Sequence, residues 1–203
     1  MNRNGTATAF TLVELLAVMA VSGILLALTF GGTSKFIARG QEAKCTSNLR
    51  QLAVATQLYC ADNSGMLPMA GAAPFNNPPW YQPLVSYVDA QMKAGSQLAV
   101  AGKGIQVFQC PAYKSPPAPA RDITYAPNTQ SANVRLAQIV KPSAKIWLIT
   151  STDSYSVNGS GLQRVNFPHN SRANVLYFDG HTQLLKRDAL QAIAPVAFNP
   201  SAP

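Results

Sequence analysis

Phe10-Thr11-Leu12-Val13-Glu14 opens a run that stays uncharged from Leu15 to Ser34 and ends at Lys35. About 20 uncharged residues are what an α-helix needs to cross the hydrocarbon core of a bilayer. Proline is absent from Phe10 to Asp62, so nothing in that length forces a break. The helical signal also outlasts the apolar run. Cys45, Leu49, Leu52, Thr56 and Tyr59 recur at steps of four and three, which marks one face of a helix. Lys44, Arg50, Gln51 and Gln57 lie mostly off that face. The spacing predicts one helix of about 50 residues, roughly 75 to 80 Å long. Its first half, residues 10–34, is expected to span a membrane, and its distal half, 35–62, to pack on a domain. Gly31-Gly32 is the expected kink, and Asp62-Asn63-Ser64-Gly65 followed by Pro68 is the expected stop.

Downstream the pattern changes. Residues 105–109, 146–150 and 173–178 are short runs rich in β-branched or aromatic residues and read as strands, with 182–185 pairing to the last. Asp179-Gly180 between those two is a hairpin-turn pair. A short helix is expected within 80–93 and another over 188–193, capped by Asp188, with a frayed tail beyond Pro195. The fold class is therefore α+β: a long N-terminal helix and a small antiparallel sheet with long loops in one globular domain, 63–203. Nine of the 15 prolines gather in 71–83 and 111–127 and mark those loops.

Sixteen basic residues against eight acidic ones leave a net charge of +8, scattered along the chain. Scattered charge describes a solvated surface, and no basic cluster interleaved with aromatics accompanies it, so no nucleic-acid partner is expected. Enzyme readings also fail. The chain has no G-x-S-x-G elbow, phosphate-binding loop, dinucleotide fingerprint or paired carboxylates.

The three cysteines are Cys45, Cys60 and Cys110, an odd number that leaves at least one outside any internal disulfide. On one helix, Cys45 and Cys60 lie about 22 Å apart, far beyond bridging reach. An internal bridge would join Cys110 to one of them. Cys60–Cys110 is the preferred pair, because Cys60 sits near the helix end where the loops turn back. Three buried free thiols are the alternative.

The N-terminal string resembles that of type IV prepilins and type II secretion pseudopilins. In that family a polar leader is cut before a Phe, the new amine is methylated, and a Glu four residues on pairs with a neighbouring subunit during assembly. The resemblance implies a leader at 1–9, cleavage between Ala9 and Phe10 by prepilin peptidase, N-methylation of Phe10, and Glu14 as the assembly acid. The family usually has Gly before the cut; Ala9 is the next smallest residue. A secretory signal peptide or a plain signal anchor would also explain the hydropathy, but neither requires this string at the polar–apolar boundary.

A second resemblance covers the C-terminal half. His169 and Asp179-Gly180 are separated by nine residues, similar to the H-x9-DG element of one branch of prepilin-like proteins. Cys45-Thr46-Ser47-Asn48-Leu49-Arg50-Gln51, Cys110-Pro111, the Tyr125-x-x-Asn128 string and Lys141-Pro142-Ser143 agree with that branch. A histidine ahead of a strand can donate to a backbone carbonyl or to Asp179 without any ligand. His169, Asp179 and Gly180 are thus expected to hold the hairpin and the loop leading into it. No metal is expected, since no third ligand is evident, and no cofactor; calcium through Asp179 and backbone carbonyls would be the exception.

Together the resemblances imply a pilin-like fold and a structural role: a pseudopilin or minor-pilin subunit of a type II secretion or type IV pilus-like filament. The implied partners are prepilin peptidase, other pilin subunits and the inner membrane. The implied location is single-pass in the inner membrane with a periplasmic domain, and an extracytoplasmic filament after assembly. The charge bias runs the other way, with Arg3 before the apolar run and Lys35, Arg39, Lys44 and Arg50 after it; the leader resemblance is followed instead. A membrane-anchored extracytoplasmic binding module that forms no filament is the alternative.

Overall fold

The structure is a computed structural model that describes residues 10–30, 33–68, 79–88, 106–113, 123–152, 157–160 and 162–203. The leader 1–9, with Ala9, and Gly31-Gly32 lie outside the described residues. The chain divides into two compact units, Met1–Arg39 and Gly40–Pro203.

The first unit carries α1, Leu12–Phe30. Thr11 and Glu14 cap it reciprocally. Glu14 N donates to Thr11 Oγ1 at 3.3 Å, while Thr11 N donates to Glu14 Oε2 at 2.9 Å. This is a capping box, in which residues N-cap and N3 satisfy each other's free backbone N–H groups. The next helix, α2, runs from Thr33 to Asp62; Gly31-Gly32, the expected kink between the two, are the residues left undescribed. Among the described residues no helix is long and apolar enough to cross a membrane. The charge-free part of α1, residues 15–30, covers about 24 Å at helical rise, short of the ~30 Å hydrocarbon core. The expected single-pass inner-membrane location is corrected accordingly.

The second unit is a four-stranded antiparallel sheet in the order β1-β2-β3-β4, with strands Tyr125–Pro127, Ile146–Thr150, Arg172–Tyr177 and Thr182–Lys186. The α+β class expected from the sequence is present. Helix α2 stops where its Asn-Ser-Gly segment dictates: Ser64 and Gly65 both take positive φ, and Gly65 N reaches Cys60 O at 2.7 Å. The buried face of α2 is Cys45, Leu49, Leu52 and Thr56, as the spacing predicts, with Tyr59 half-buried at its end.

Two apolar cores lie on the two faces of the sheet. One joins α2 to Trp80, Phe108, Tyr125, Trp147 and Phe178; the other joins the sheet to the C-terminal helix. A bulge sets which residue goes where. Ile146 pairs with Tyr177 but Leu148 with Leu176, which leaves Trp147 as an extra residue. Trp147 and Leu148 both enter the α2-side core, whereas Ile146 and Ile149 enter the other. Trp147 then lies 5.4 Å from the Phe178 ring, and its indole donates to Thr56 Oγ1 on α2 at 3.1 Å.

Two expectations need correction. Residues 106–108 form a 3-10 turn, Gln106–Phe108, because Gln109 N closes back on Gln106 O instead of joining a ladder. The short helix expected within 80–93 is present, a 3-10 turn, Gln82–Leu84, running into α3, Val85–Val88; residues 89–93 lie outside the described residues. The tail beyond Pro195 does not fray. Helix α4 runs Arg187–Ala197 across Pro195, and Phe198 after it is buried. Asn128 holds that end, donating to the carbonyls of Ile146 at 3.1 Å and Phe198 at 2.9 Å. Lys145 Nζ donates to Val196 O at 3.0 Å, placing a cation on the last carbonyls of α4.

Candidate functional site

The densest chemistry in the second unit is at the start of the buried face of α2. Cys45 there is fully buried, and its helix turn also carries Asn48. Asn48 Nδ2 donates to Gln106 O at 3.0 Å and Gln109 O at 2.8 Å, which clamps the 106–109 turn onto the helix. Cys110, next in the chain, is fixed by its own N–H to Thr124 Oγ1 at 2.5 Å. His169 arrives from a third direction. Asn170 and Ser171 both take positive φ, and His169 and Arg172 exchange backbone hydrogen bonds across them. Two left-handed central residues make the tight turn that feeds a strand with the correct twist. Arg172 also pairs with Glu42 on α2 at 3.0 Å, drawing this turn toward the helix end that bears Cys45.

The Sγ atoms of Cys45 and Cys110 and a ring nitrogen of His169 consequently lie within 4.8 Å of one another, all three residues buried. His169 Nε2 is 3.1 Å from Cys110 Sγ, and Tyr125 Oη is 3.1 Å from Cys45 Sγ. The two sulfurs divide their protons unequally. Cys45 is held well below the ordinary thiol range, first by the Cys110 thiol donating to it, then by His169, Tyr125 and Asn174, against the opposing effect of burial. Cys110 is pushed up, because it is the donor, it is buried and it faces the Cys45 charge. Tyr125 is raised well above the usual phenol range, chiefly by burial, and so remains a neutral donor. Of the two sulfurs, Cys45 is the more acidic and Cys110 the less. Asn48 Oδ1, a buried amide oxygen on the same helix turn as Cys45, completes no hydrogen bond among the described residues.

The chain matches no family model, no curated protein and no solved structure.

The other expected site residues separate. Cys60 lies fifteen residues beyond Cys45 on α2, about 22 Å along the axis, while Cys110 is beside Cys45; the preferred Cys60–Cys110 bridge is therefore out of reach. All three cysteines are free thiols. Burial alone raises Cys60 to about 11. His169 and Asp179 do not meet, since they flank opposite ends of β3. Asp179 instead faces His181, whose N–H donates to Oδ1 at 3.0 Å and whose Nδ1 lies 2.6 Å from the same oxygen. Gly180 has φ +93°, a backbone conformation that residues with a side chain rarely adopt, so the turn needs its glycine. The expected anchoring of the hairpin is thus divided between an exposed Asp179–His181 pair and a buried His169 that contacts a cysteine.

In the first unit, Phe10 is exposed and Glu14 sits in the first turn of α1. The capping role of Glu14 was available from the sequence as the T-x-x-E spacing ahead of an apolar run. The Cys45, Cys110 and His169 cluster had no such local signal. Each residue heads a different fragment of the chain, and none of the spacings follows a metal-ligand rule.

Proposed function

We propose that this protein is a structural subunit of a pilin-like filament, a pseudopilin or minor pilin, in which α1 packs against the α1 helices of other copies. The observation that carries the reading is the surface of α1. Between residues 10 and 26, eleven large apolar side chains are exposed, from 56% at Val21 to 83% at Phe10. Each such side chain is worth roughly 1.5 to 3 kcal/mol when fully buried. A helix–helix contact that covers even part of them offsets the several kcal/mol lost on association.

Glu14 sets the register of that packing. A carboxylate drawn into an apolar interface is strongly unfavourable unless a cation meets it. Cleavage between Ala9 and Phe10 by a prepilin peptidase supplies one, the amine of Phe10 on a neighbouring copy. The N–H of Thr11 survives such a cut, so the capping box and the inter-subunit pair are compatible. Glu14 therefore has two roles that one substitution can separate. Glu14→Gln keeps the cap, because Gln also serves at N3, and removes the charge. Assembly, followed by cross-linking and sedimentation of filaments from the native host, should fail in Glu14→Gln and in Glu14→Ala alike. Wild-type assembly by Glu14→Gln would reduce Glu14 to a helix cap. An intact mass that retains Ala9 at the N-terminus of assembled protein would remove the processing step.

A further inference from the structure

We propose that Cys45, Cys110 and His169 form a buried binding site for one Zn2+ ion, independent of filament assembly. Zn–S bonds of about 2.3 Å and Zn–N bonds of about 2.0 Å in a tetrahedron place neighbouring ligand atoms roughly 3.5 to 3.8 Å apart. Here the three donor atoms already lie within 4.8 Å of one another. Closing onto an ion needs only small side-chain movements on a backbone clamped from three sides by Asn48, Thr124 and the His169–Arg172 turn.

The donor set selects the ion by softness and by charge. Two sulfurs and an imidazole exclude the hard cations Ca2+ and Mg2+, which take oxygen ligands. Zn2+ and Cu+ both suit the donors. Two thiolates neutralise Zn2+, whereas Cu+ would leave a net negative charge in a buried site, which is costly. Zn2+ binds both sulfurs as thiolates, and the thiol protons they carry leave to solvent. Tyr125 is placed as the outer partner, its Oη 3.1 Å from the Cys45 sulfur, where the phenol would donate to a metal-bound thiolate, the kind of contact that orients a ligand and tunes its basicity. Three protein ligands leave the fourth tetrahedral position to a water or to a side-chain oxygen.

The test uses the full chain, purified, reduced and stripped with a chelator, then titrated with Co2+ as a spectroscopic stand-in and with Zn2+ in competition. One equivalent of Co2+ should give a thiolate-to-metal charge-transfer band with tetrahedral d–d absorption, and one equivalent of Zn2+ should bleach both. Cys45→Ser and Cys110→Ser should lose the band, His169→Ala should weaken binding and change the d–d pattern, and Cys60→Ser should behave as wild type. Tyr125→Phe should bind about 10- to 100-fold more weakly. Should the ligand variants fail to fold, wild-type protein decides: Zn2+ must protect Cys45 and Cys110, but not Cys60, from alkylation mapped by peptide mass. The proposal is overturned by a reduced wild-type chain that gives no band. It is equally overturned by a band that survives in both Cys45→Ser and Cys110→Ser, by alkylation that Zn2+ does not change, or by a native chain with one free thiol because Cys45 and Cys110 are joined as a disulfide.

Discussion

Helix α1 and the sheet domain are built from the same apolar residues put to opposite uses. In α1, Leu16 and Leu25 stand about 60% exposed; in the domain, Leu49, Leu52, Leu148 and Leu176 are wholly buried. The domain sequence interrupts its apolar residues with polar ones at helical or alternating spacing, so each element has an inner and an outer face. Along α1 the apolar residues run all round. A helix without a polar face has no preferred side to turn to water, and its stable state is surrounded by other apolar surface. The domain buries most of its apolar residues, while those of α1 stay exposed.

That contrast is open to direct attack, beginning with the core. Trp147→Ala should destabilise the domain by about 3 to 5 kcal/mol, the range for deleting a buried aromatic, read as a loss of cooperative unfolding or a much lower denaturant midpoint. Leu16→Ala in α1 should leave that midpoint within about 0.5 kcal/mol of wild type and weaken self-association instead. A large stability loss from Leu16→Ala would show that α1 is part of the domain core.

A second comparison lies within the domain. The buried His169 and the exposed Asp179 come from one sequence element but carry different weight. His169→Ala should cost about 1 to 3 kcal/mol through its lost buried contacts. Asp179→Ala should cost about 0 to 1 kcal/mol, since its partner His181 is exposed and screened. Equal losses in chemical denaturation would restore the idea of a joint His169–Asp179 brace.

The cap of α1 gives a smaller effect that sharpens the assembly question. Thr11→Ala removes the capping hydroxyl and leaves Glu14 charged, at about 1 kcal/mol of helix stability. It should assemble, whereas Glu14→Gln should not; the reverse order in a filament-recovery assay would assign both residues to the cap alone.

The smallest effect concerns Cys60. Its folded-state value, about 11, lies above the ordinary thiol value of 9.0. Below pH 9 both states keep the proton and the contribution to stability is complete. As pH rises from 9 toward 11 the unfolded chain ionises first, and stability is lost. Thermal melts of wild type should therefore fall more steeply across that window than those of Cys60→Ala, and parallel curves would mean that the thiol is better solvated than its burial indicates.

What the sequence by itself determined is whatever rests on short-range pattern. The buried face of α2 follows from a spacing of three and four. The pairing of β3 with β4 follows from two apolar runs around Asp179-Gly180, and the end of α2 from Asn63-Ser64-Gly65. In each case the residues that carry the signal also make the contact. Tertiary structure alone decided the rest. Residues 106–108 have the composition of a strand, yet they close into a 3-10 turn because Asn48, 58 residues earlier, captures the carbonyl of Gln106. The tail holds past Pro195 because Asn128 and Lys145 reach its carbonyls from the sheet. Cys110 and His169 stand 59 residues apart and come within 3.1 Å only after two turns are pinned to α2. The meeting of such groups depends on loop closures whose cost and direction no local pattern encodes.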